Sequence, residues 1–378
     1  MRVLLATWAA TIDPGSGAAR SMRTILRWLR DDGHDVSSLC ATPFEGLIDA
    51  DFRAEAHRQG IVVGPGPVAD FHWDGIPGRV VESRTPRGQV PDPEEVEAYV
   101  ATGTDLIKSF RPDLLLVMGA HRALHEVMRR ARAAGSKVVY SLRNYGYERR
   151  ALFQHVDAVL TCSKFLSGYY EHQIGLRSTA IPSPVEWDEV QVAADHRKPT
   201  YLTFVNPAPR KGVALAARLF EALEIPTQVF ASEVGADSLR RFLDPIPEHV
   251  QIRSTTDDPR EIYREARVLL APSLAEPFGR VAVEAMINAV PVLAADRGGL
   301  PEALAGSGVL VQLPESLIRD PQARLASADA SDWLRALRRL WETPGDSAIR
   351  AREIAEEVYA ESVQRSRTVG FFEALLKG

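Results

Sequence analysis

Short apolar runs rich in β-branched residues alternate with longer stretches of helical spacing along almost the whole chain, and this rhythm limits what it can become. In the first half the runs fall at 3–7, 36–39, 61–63, 114–118, 138–142 and 159–162. Amphipathic stretches at 18–30, 94–110 and 123–134 lie between several of them. The second half repeats the pattern, with runs at 201–205, 228–231, 250–252, 268–271, 292–294 and 309–313 and helical stretches such as 213–223 and 262–266. Strands that are apolar throughout are buried on both faces, and strands separated by helices pair in parallel. The pattern therefore predicts an α/β fold of parallel sheets covered by helices.

The rhythm breaks twice. Residues 64–93 are dense in glycine and proline and predict a long loop, with a small hairpin around 79–82. Ile181-Pro182-Ser183-Pro184 and the polar segment running to Pro199 read as a hinge between domains. From about 333 to 376 the chain is almost all helical, and 378 residues suit two domains. No apolar run reaches the roughly 18–20 residues that span a bilayer. The N-terminus reads directly into a strand, without the pattern of a signal peptide, so a cytoplasmic protein is expected. Net charge is −5, which gives no reason to expect nucleic acid. Cys40 and Cys162 are the two cysteines and are expected to be small buried hydrophobes, not a disulfide or a zinc site.

The residues that carry chemistry cluster at 271–287. A strand ends there, a turn follows, and a helix is expected from about Phe278-Gly279. Ligands of open α/β sheets bind beyond the carboxyl ends of strands, which places Glu276 where a ligand sits. The new helix offers unpaired N–H groups and a positive dipole end to a phosphate. Glu284 interrupts an apolar run, with three apolar residues on each side. A carboxylate there needs partners. Either ligand hydroxyls supply them, at roughly 1.5–3 kcal/mol per charge-assisted bond, or the residue is structural.

Taken together, the segment resembles the E-x7-E signature of retaining GT-B glycosyltransferases, and more narrowly glycosyltransferase family 4. The matching parts are Pro272-Ser273, Glu276-Pro277-Phe278-Gly279, Glu284-Ala285-Met286, Pro291-Val292 and Gly298-Gly299-Leu300-Pro301-Glu302. Residues 258–267 and the string from Asp157 to Ser163 are similar to the family as well. The resemblance implies two Rossmann-like doubly wound parallel-sheet domains facing across a cleft. The first spans 1–183 on the acceptor side and the second 184–361 on the nucleotide-sugar side, with a final helix at about 362–378 packing back on the first.

It also implies roles. Glu276 would contact hydroxyls of the donor sugar and Glu284 those of the ribose. The amides of Phe278, Gly279 and Arg280 would face the sugar and diphosphate, and the backbone at Arg253 would read the base. Lys211, helped by Arg210, would neutralise the leaving diphosphate. Asn206 stands where the family often has arginine, and Arg143 where many members have histidine. Arg143, with Asn144 beside it, is expected to meet an anionic group on acceptor or donor, or else to form a structural ion pair. Gly15 and Gly17 mark a loop facing the cleft.

No metal or other cofactor is expected. The partners implied are a nucleotide-diphosphate sugar, with UDP or GDP preferred, and a small soluble acceptor. Three other readings stand beside this one. The first is a peripheral-membrane transferase for lipid-linked glycans that uses the arginine stripe Arg20, Arg23, Arg27 and Arg30. The second is a sugar-nucleotide 2-epimerase. The third is a non-catalytic partner that has kept the fold, for which the departures at Asn206 and Arg143 leave room. Asp49-Ala50-Asp51 and the His121/His125 pair look like metal motifs but sit in contexts that favour ordinary structural roles.

Overall fold

The computed structural model describes residues 1–46, 50–85, 89–256 and 258–377. The chain divides into two compact units, one formed by Met1–Pro184 with Arg365–Gly378 and the other by Val185–Gln364. The first is built on strands β1 (Arg2–Thr7), β2 (Asp35–Ala41), β3 (Val68–Trp73), β4 (Ile76–Val81), β5 (Leu114–Met118), β6 (Lys137–Leu142), β7 (Ala158–Thr161) and β8 (Thr179–Ala180). They lie in the order β3-β4-β2-β1-β5-β6-β7-β8. The second contains β9 (Tyr201–Val205), β10 (Thr227–Ala231), β11 (Val250–Ser254), β12 (Ala266–Ala271), β13 (Val292–Ala295) and β14 (Val309–Val311), ordered β11-β10-β9-β12-β13-β14. Among the described residues the pairings are parallel, except the β3/β4 hairpin.

Local chemistry explains the element ends. Helix Pro93–Phe110 starts where the Asp92 side chain accepts from the Glu94 N–H, with proline and two glutamates in its first turn. It stops at Arg111, which is left-handed (φ 48°). The strands alternate poorly because both faces are covered: β5 is buried at every position. In the first unit Leu5, Ile25, Leu116, Val139 and Leu160 share one core with Val369 and Phe372 from the last helix, Glu361–Lys377. Burying a side chain such as Phe372 stabilises by about 1.5–3 kcal/mol.

Three expectations change. Residues 61–63 form no strand. Val63 makes an isolated bridge to Phe71 and Val62 is 83% exposed, because the following Gly-Pro repeat cannot continue a ladder. The 64–93 loop holds a full hairpin whose turn is Asp74-Gly75, both at positive φ, so residues 79–82 are the end of β4 and its exit rather than the turn. The helix expected at 262–266 is Pro259–Arg264, capped by Asp258, and Ala266 already begins β12. The arginine stripe is used internally. Arg20 donates to the Pro14 carbonyl, Arg23 to those of Thr11 and Asp13, Arg27 pairs with Asp74 at 2.8 Å, and Arg30 reaches the Asp74 carbonyl.

Both sheets reverse their order at one point. In the second unit the chain leaves β9 toward β10 and later returns to β12 on β9's other side, so the loops after β9 and β12 diverge from adjacent strand ends. Glycine brings these loops together. Gly212 sits at φ +80°, and a Cβ there would lie 2.1 Å from the Pro272 carbonyl oxygen. Alanine at 212 adds a left-handed residue and a backbone clash, and we expect Gly212→Ala to destabilise the second unit by about 2–4 kcal/mol. Gly306 has φ +84° with nothing near its Cβ position. Gly306→Ala should therefore cost only about 1 kcal/mol. Urea unfolding of the two variants checks this, and equal losses would remove the clash from the account.

Candidate functional site

At the β9/β12 reversal the sequence folds back on itself tightly. After β9, Asn206 turns the chain at φ 58°, and a short turn, Pro209–Lys211, ends at Gly212. After β12, the Leu274 N–H donates to the Arg210 carbonyl at 2.9 Å, which joins the two loops. A third segment supports them from behind. The Gly299 N–H donates to the Glu276 carbonyl at 2.8 Å, and Arg297 Nε to the Leu274 carbonyl at 2.8 Å. Side chains at 298 or 299 would begin 2.5 and 2.4 Å from the carbonyl oxygens of Glu276 and Pro277, so the two glycines are a condition of this packing.

The result is a charged centre. Lys211 Nζ is ion-paired with Glu276 Oε2, which also accepts from Ser273 Oγ at 3.3 Å. Glu276 and Ser273 are buried. Gly279 (φ 111°) starts helix Arg280–Ile287, one residue later than expected, and Phe278 is buried against Tyr359 with ring centres 6.1 Å apart. Glu284, 4% exposed, accepts from Tyr263 Oη at 2.8 Å and pairs with Arg280 Nε at 2.8 Å. Its protein partners are thus side chains. Two bonds use only part of a carboxylate, which offers about four acceptor positions.

The remaining sequence-derived residues lie apart from this centre. The Arg210 side chain is exposed, and its fixed contribution is its carbonyl. Arg253 is on β11, two strands from β9, paired with Glu265 at 2.8 Å and lying over the rings of Tyr201 and Phe230. In the first unit Arg143, at the end of β6, is buried and donates to Ser141 Oγ and Ser183 Oγ, each at 3.0 Å. Asn144 beside it is exposed and its carbonyl accepts from Tyr170 Oη at 2.7 Å. Gly15 approaches the backbone of Gly46, where a Cβ on either would collide, and Gly17 opens helix Gly17–Asp31. Of the apparent metal motifs, Asp51 caps helix Phe52–Arg58, while Asp49 lies outside the described residues. Among the described residues no group of three or more His, Cys, Asp or Glu is placed to hold a metal ion. Nor is any described helix long and apolar enough to cross a membrane.

The first unit has its own reversal, between β1 and β5, and a cavity of about 460 Å³ opens there that the sequence reading passed over. Trp8 follows β1, Phe44 and Glu45 follow β2, Met118 ends β5, His121 follows it, and Tyr147 follows β6. Asp13, fully buried, holds Glu45 in place, its Oδ2 accepting from the N–H groups of Glu45 (2.8 Å) and Gly46 (2.7 Å). Burial, and then the charge of Glu45, raise the Tyr147 phenol above its ordinary 10.0. The His121 ring stacks on Trp8 with centres 3.6 Å apart and planes at 19°. Its Nδ1 accepts from the Ala123 N–H at 3.2 Å, capping helix Arg122–Ala133. That bond places the proton on Nε2, a buried atom without a hydrogen-bond partner among the described residues.

Burial, and then the neighbouring Arg122, lower His121 from its ordinary 6.5 to about 4, against a smaller opposing effect of Glu95. The unfolded chain therefore takes up this proton first on acidification. Stability from the neutral ring is complete above pH 6.5 and is lost as the pH falls toward 4. Urea midpoints measured across that range should fall more in the parent than in His121→Ser, which keeps a capping hydroxyl. Parallel curves would sink the assignment.

Comparison with known proteins identifies the family and the fold. A family model described as "Family 4 Glycosyltransferase in conflict systems" matches residues 179–371, just over half of the chain. A D-inositol 3-phosphate glycosyltransferase of Geodermatophilus obscurus is 37% identical over 153 residues, covering 38% of this chain and 32% of the relative. One from Corynebacterium efficiens is 42% identical over 83 residues, covering 21% and 18%. The chain thus spans about a third or less of the length of these curated relatives. Among solved structures, sucrose-phosphate synthase from Thermosynechococcus elongatus superposes with a TM-score of 0.74 at 16% identity over all of both chains. Anabaena HepE in complex with UDP and glucose gives 0.71 at 16% identity over 98% and 99%. At such identities the likeness shows the fold, that of the GT-B glycosyltransferases. By the family match and by its fold, the chain belongs to the family 4 glycosyltransferases in conflict systems.

Proposed function

We propose that the protein transfers a glycosyl group from a nucleotide-diphosphate sugar, with UDP or GDP as the nucleotide, to a small soluble acceptor, with retention of the anomeric configuration. The observation that carries this reading is the Lys211–Glu276 pair held at the β9/β12 reversal, beside the start of helix Arg280–Ile287. A diphosphate bound there competes with Glu276 for the Lys211 ammonium and gains the N–H groups of the helix start. Glu276, released from the lysine, is then available to hydroxyls of the donor sugar. Glu284 keeps its bonds to Tyr263 and Arg280 and accepts from the ribose with its remaining lone pairs. HepE, whose structure holds UDP and glucose, supports a uridine donor, and the inositol phosphate relatives support a small acceptor.

In this reading no side chain becomes covalently attached to the sugar. The acceptor hydroxyl attacks on the face from which the diphosphate leaves, and the departing phosphate oxygen takes its proton. Lys211 offsets the charge that develops on the diphosphate, an electrostatic contribution that requires no metal ion. The protein otherwise orients the two reactants.

Calorimetric titration with UDP, GDP, ADP and dTDP is the first test. One nucleotide should bind selectively, and Lys211→Ala should weaken it roughly 10- to 100-fold, the worth of a charge-assisted bond. Glu284→Gln should weaken it less than Glu284→Ala, because the amide keeps contact with Tyr263. Failure of every nucleotide to bind would overturn the reading. For turnover, excess chelator should leave the rate unchanged, and proton NMR of the product should show the donor's own anomer. A rate that collapses with chelator and returns with a divalent ion would remove the metal-free step.

A further inference from the structure

Residues 185–199 belong to the second unit and lie as a strap across the C-terminal end of helix Arg280–Ile287. A helix end leaves its last carbonyls without intrahelical donors. Here three side chains supply donors. The Asn288 N–H turns to the Ala285 carbonyl at 3.0 Å, and the Glu284 carbonyl accepts from Asn288 Nδ2 at 2.9 Å. Arg352 Nη1 donates to the Ile287 carbonyl at 2.5 Å, and Arg197 donates to the Asn288 carbonyl. The Asn288 amide, both donor and acceptor, also grips the backbone of the strap. Its Nδ2 donates to the Val190 carbonyl at 2.9 Å, and its Oδ1 accepts from the Val192 N–H at 2.8 Å. Asn288, Val190 and Val192 are buried, which keeps water from competing for these bonds.

The strap also reaches the second helix that serves Glu284. Helix Trp187–Val190 packs on both Pro259–Arg264 and Arg280–Ile287, and the Lys198 N–H donates to the Arg264 carbonyl at 2.8 Å. Pro259–Arg264 carries Tyr263, whose hydroxyl meets Glu284. Arg352 closes the assembly, its guanidinium 4.5 Å from the centre of the Trp187 ring. The direction of the Glu284 carboxylate depends on how these two helices meet, and the strap is bonded to both. Resting on the transferase reading above, in which Glu284 accepts from the ribose, we infer that the strap sets the ribose site and that Asn288 is its positioning residue. Asn288 touches no ligand. It holds the Glu284 main chain so that the lone pairs left by Tyr263 and Arg280 face a ribose 2′-hydroxyl, and the site thereby selects ribonucleotides over their deoxy forms. Positioning of this kind tolerates displacements of only about 0.5 Å.

The test titrates the full chain by calorimetry with UDP and GDP and with their 2′-deoxy forms. The parent should prefer the ribonucleotide roughly 10-fold or more, the worth of a bond to a charged acceptor. Asn288→Ala should lose roughly three- to tenfold of that preference, by weakening the ribonucleotide alone, as a misaligned carboxylate is a poorer acceptor. Arg352→Met keeps an apolar side chain beside Trp187, loses the bond to the Ile287 carbonyl, and should lower the preference by a smaller factor. Gly306→Ala, with nothing near its Cβ position, should keep the parent's preference, because lower stability by itself acts on both ligands alike. The inference is overturned if Asn288→Ala keeps the parent's preference or, should that variant not fold, if Arg352→Met keeps it. It is also overturned if Gly306→Ala loses the preference as Asn288→Ala does, which would make stability the cause. These outcomes leave the donor site standing. Binding by the parent without a ribose preference removes Glu284 from the ribose and the inference with it, but not Lys211 from the diphosphate. Failure of the parent to bind any nucleotide removes the transfer reading itself, and the inference with it.

Discussion

The Pro272 carbonyl occupies the space where any side chain at residue 212 would begin, and the second unit's candidate site depends on that close approach. The sheet order explains why it matters. β9 and β12 are adjacent, but the segments that follow them run to opposite sides of the sheet, so their loops would separate without a direct contact. One backbone approach, at Gly212, prevents this, and two more, at Gly298 and Gly299, seat the segment after β13 against the loop after β12. Lys211 immediately precedes the first and Glu276 is touched by the second, so the ion pair follows from the packing of glycines. Half-buried and reinforced by Ser273, the pair is screened less than a surface pair.

Glu284 presents a separate problem of charge. It is nearly buried, and a buried carboxylate is unfavourable without close partners. Arg280 supplies one from the preceding turn, but basic-before-acidic is the weaker order along a helix, and arginine at a helix start opposes the dipole. Helix stability therefore does not account for Arg280. Its physical reason is to neutralise Glu284, with the Tyr263 hydroxyl completing the cage. A carboxylate held in an apolar wall between a cation and a phenol is an acceptor in a fixed direction, the property a hydroxyl-bearing ligand requires.

The strands of both sheets were readable because buried parallel strands are continuous apolar runs, as β5 and β12 show. The E-x7-E segment was readable because its spacing lies within one strand-turn-helix. The β3/β4 hairpin was also written locally, as Asp74-Gly75 between Phe71, Trp73, Ile76 and Val80. The surrounding prolines and glycines hid that signal. Other features could not be read from neighbouring residues. The partners Lys211 and Glu276 are 65 positions apart, and Arg143 meets Ser183 across 40. The first-unit cavity draws on the ends of several strands, and Trp8, Glu45 and Tyr147 carry no motif of their own. The rule that located Glu276 would have located Trp8 and His121 had it been applied to the strand ends of the first half.

The two reversals obey one topological rule and differ in charge, and that difference is informative. The loops after β9 and β12 hold two carboxylates, each against a cation, Glu276 with Lys211 and Glu284 with Arg280. The loops at β1 and β5 present Glu45 and an imidazole that remains neutral until the pH approaches 4. A helix cap on one nitrogen and a stacked indole on its face hold the His121 ring in place. The sheets beneath impose only the position of the two reversals, and the residues that follow the strand ends give each its own chemistry.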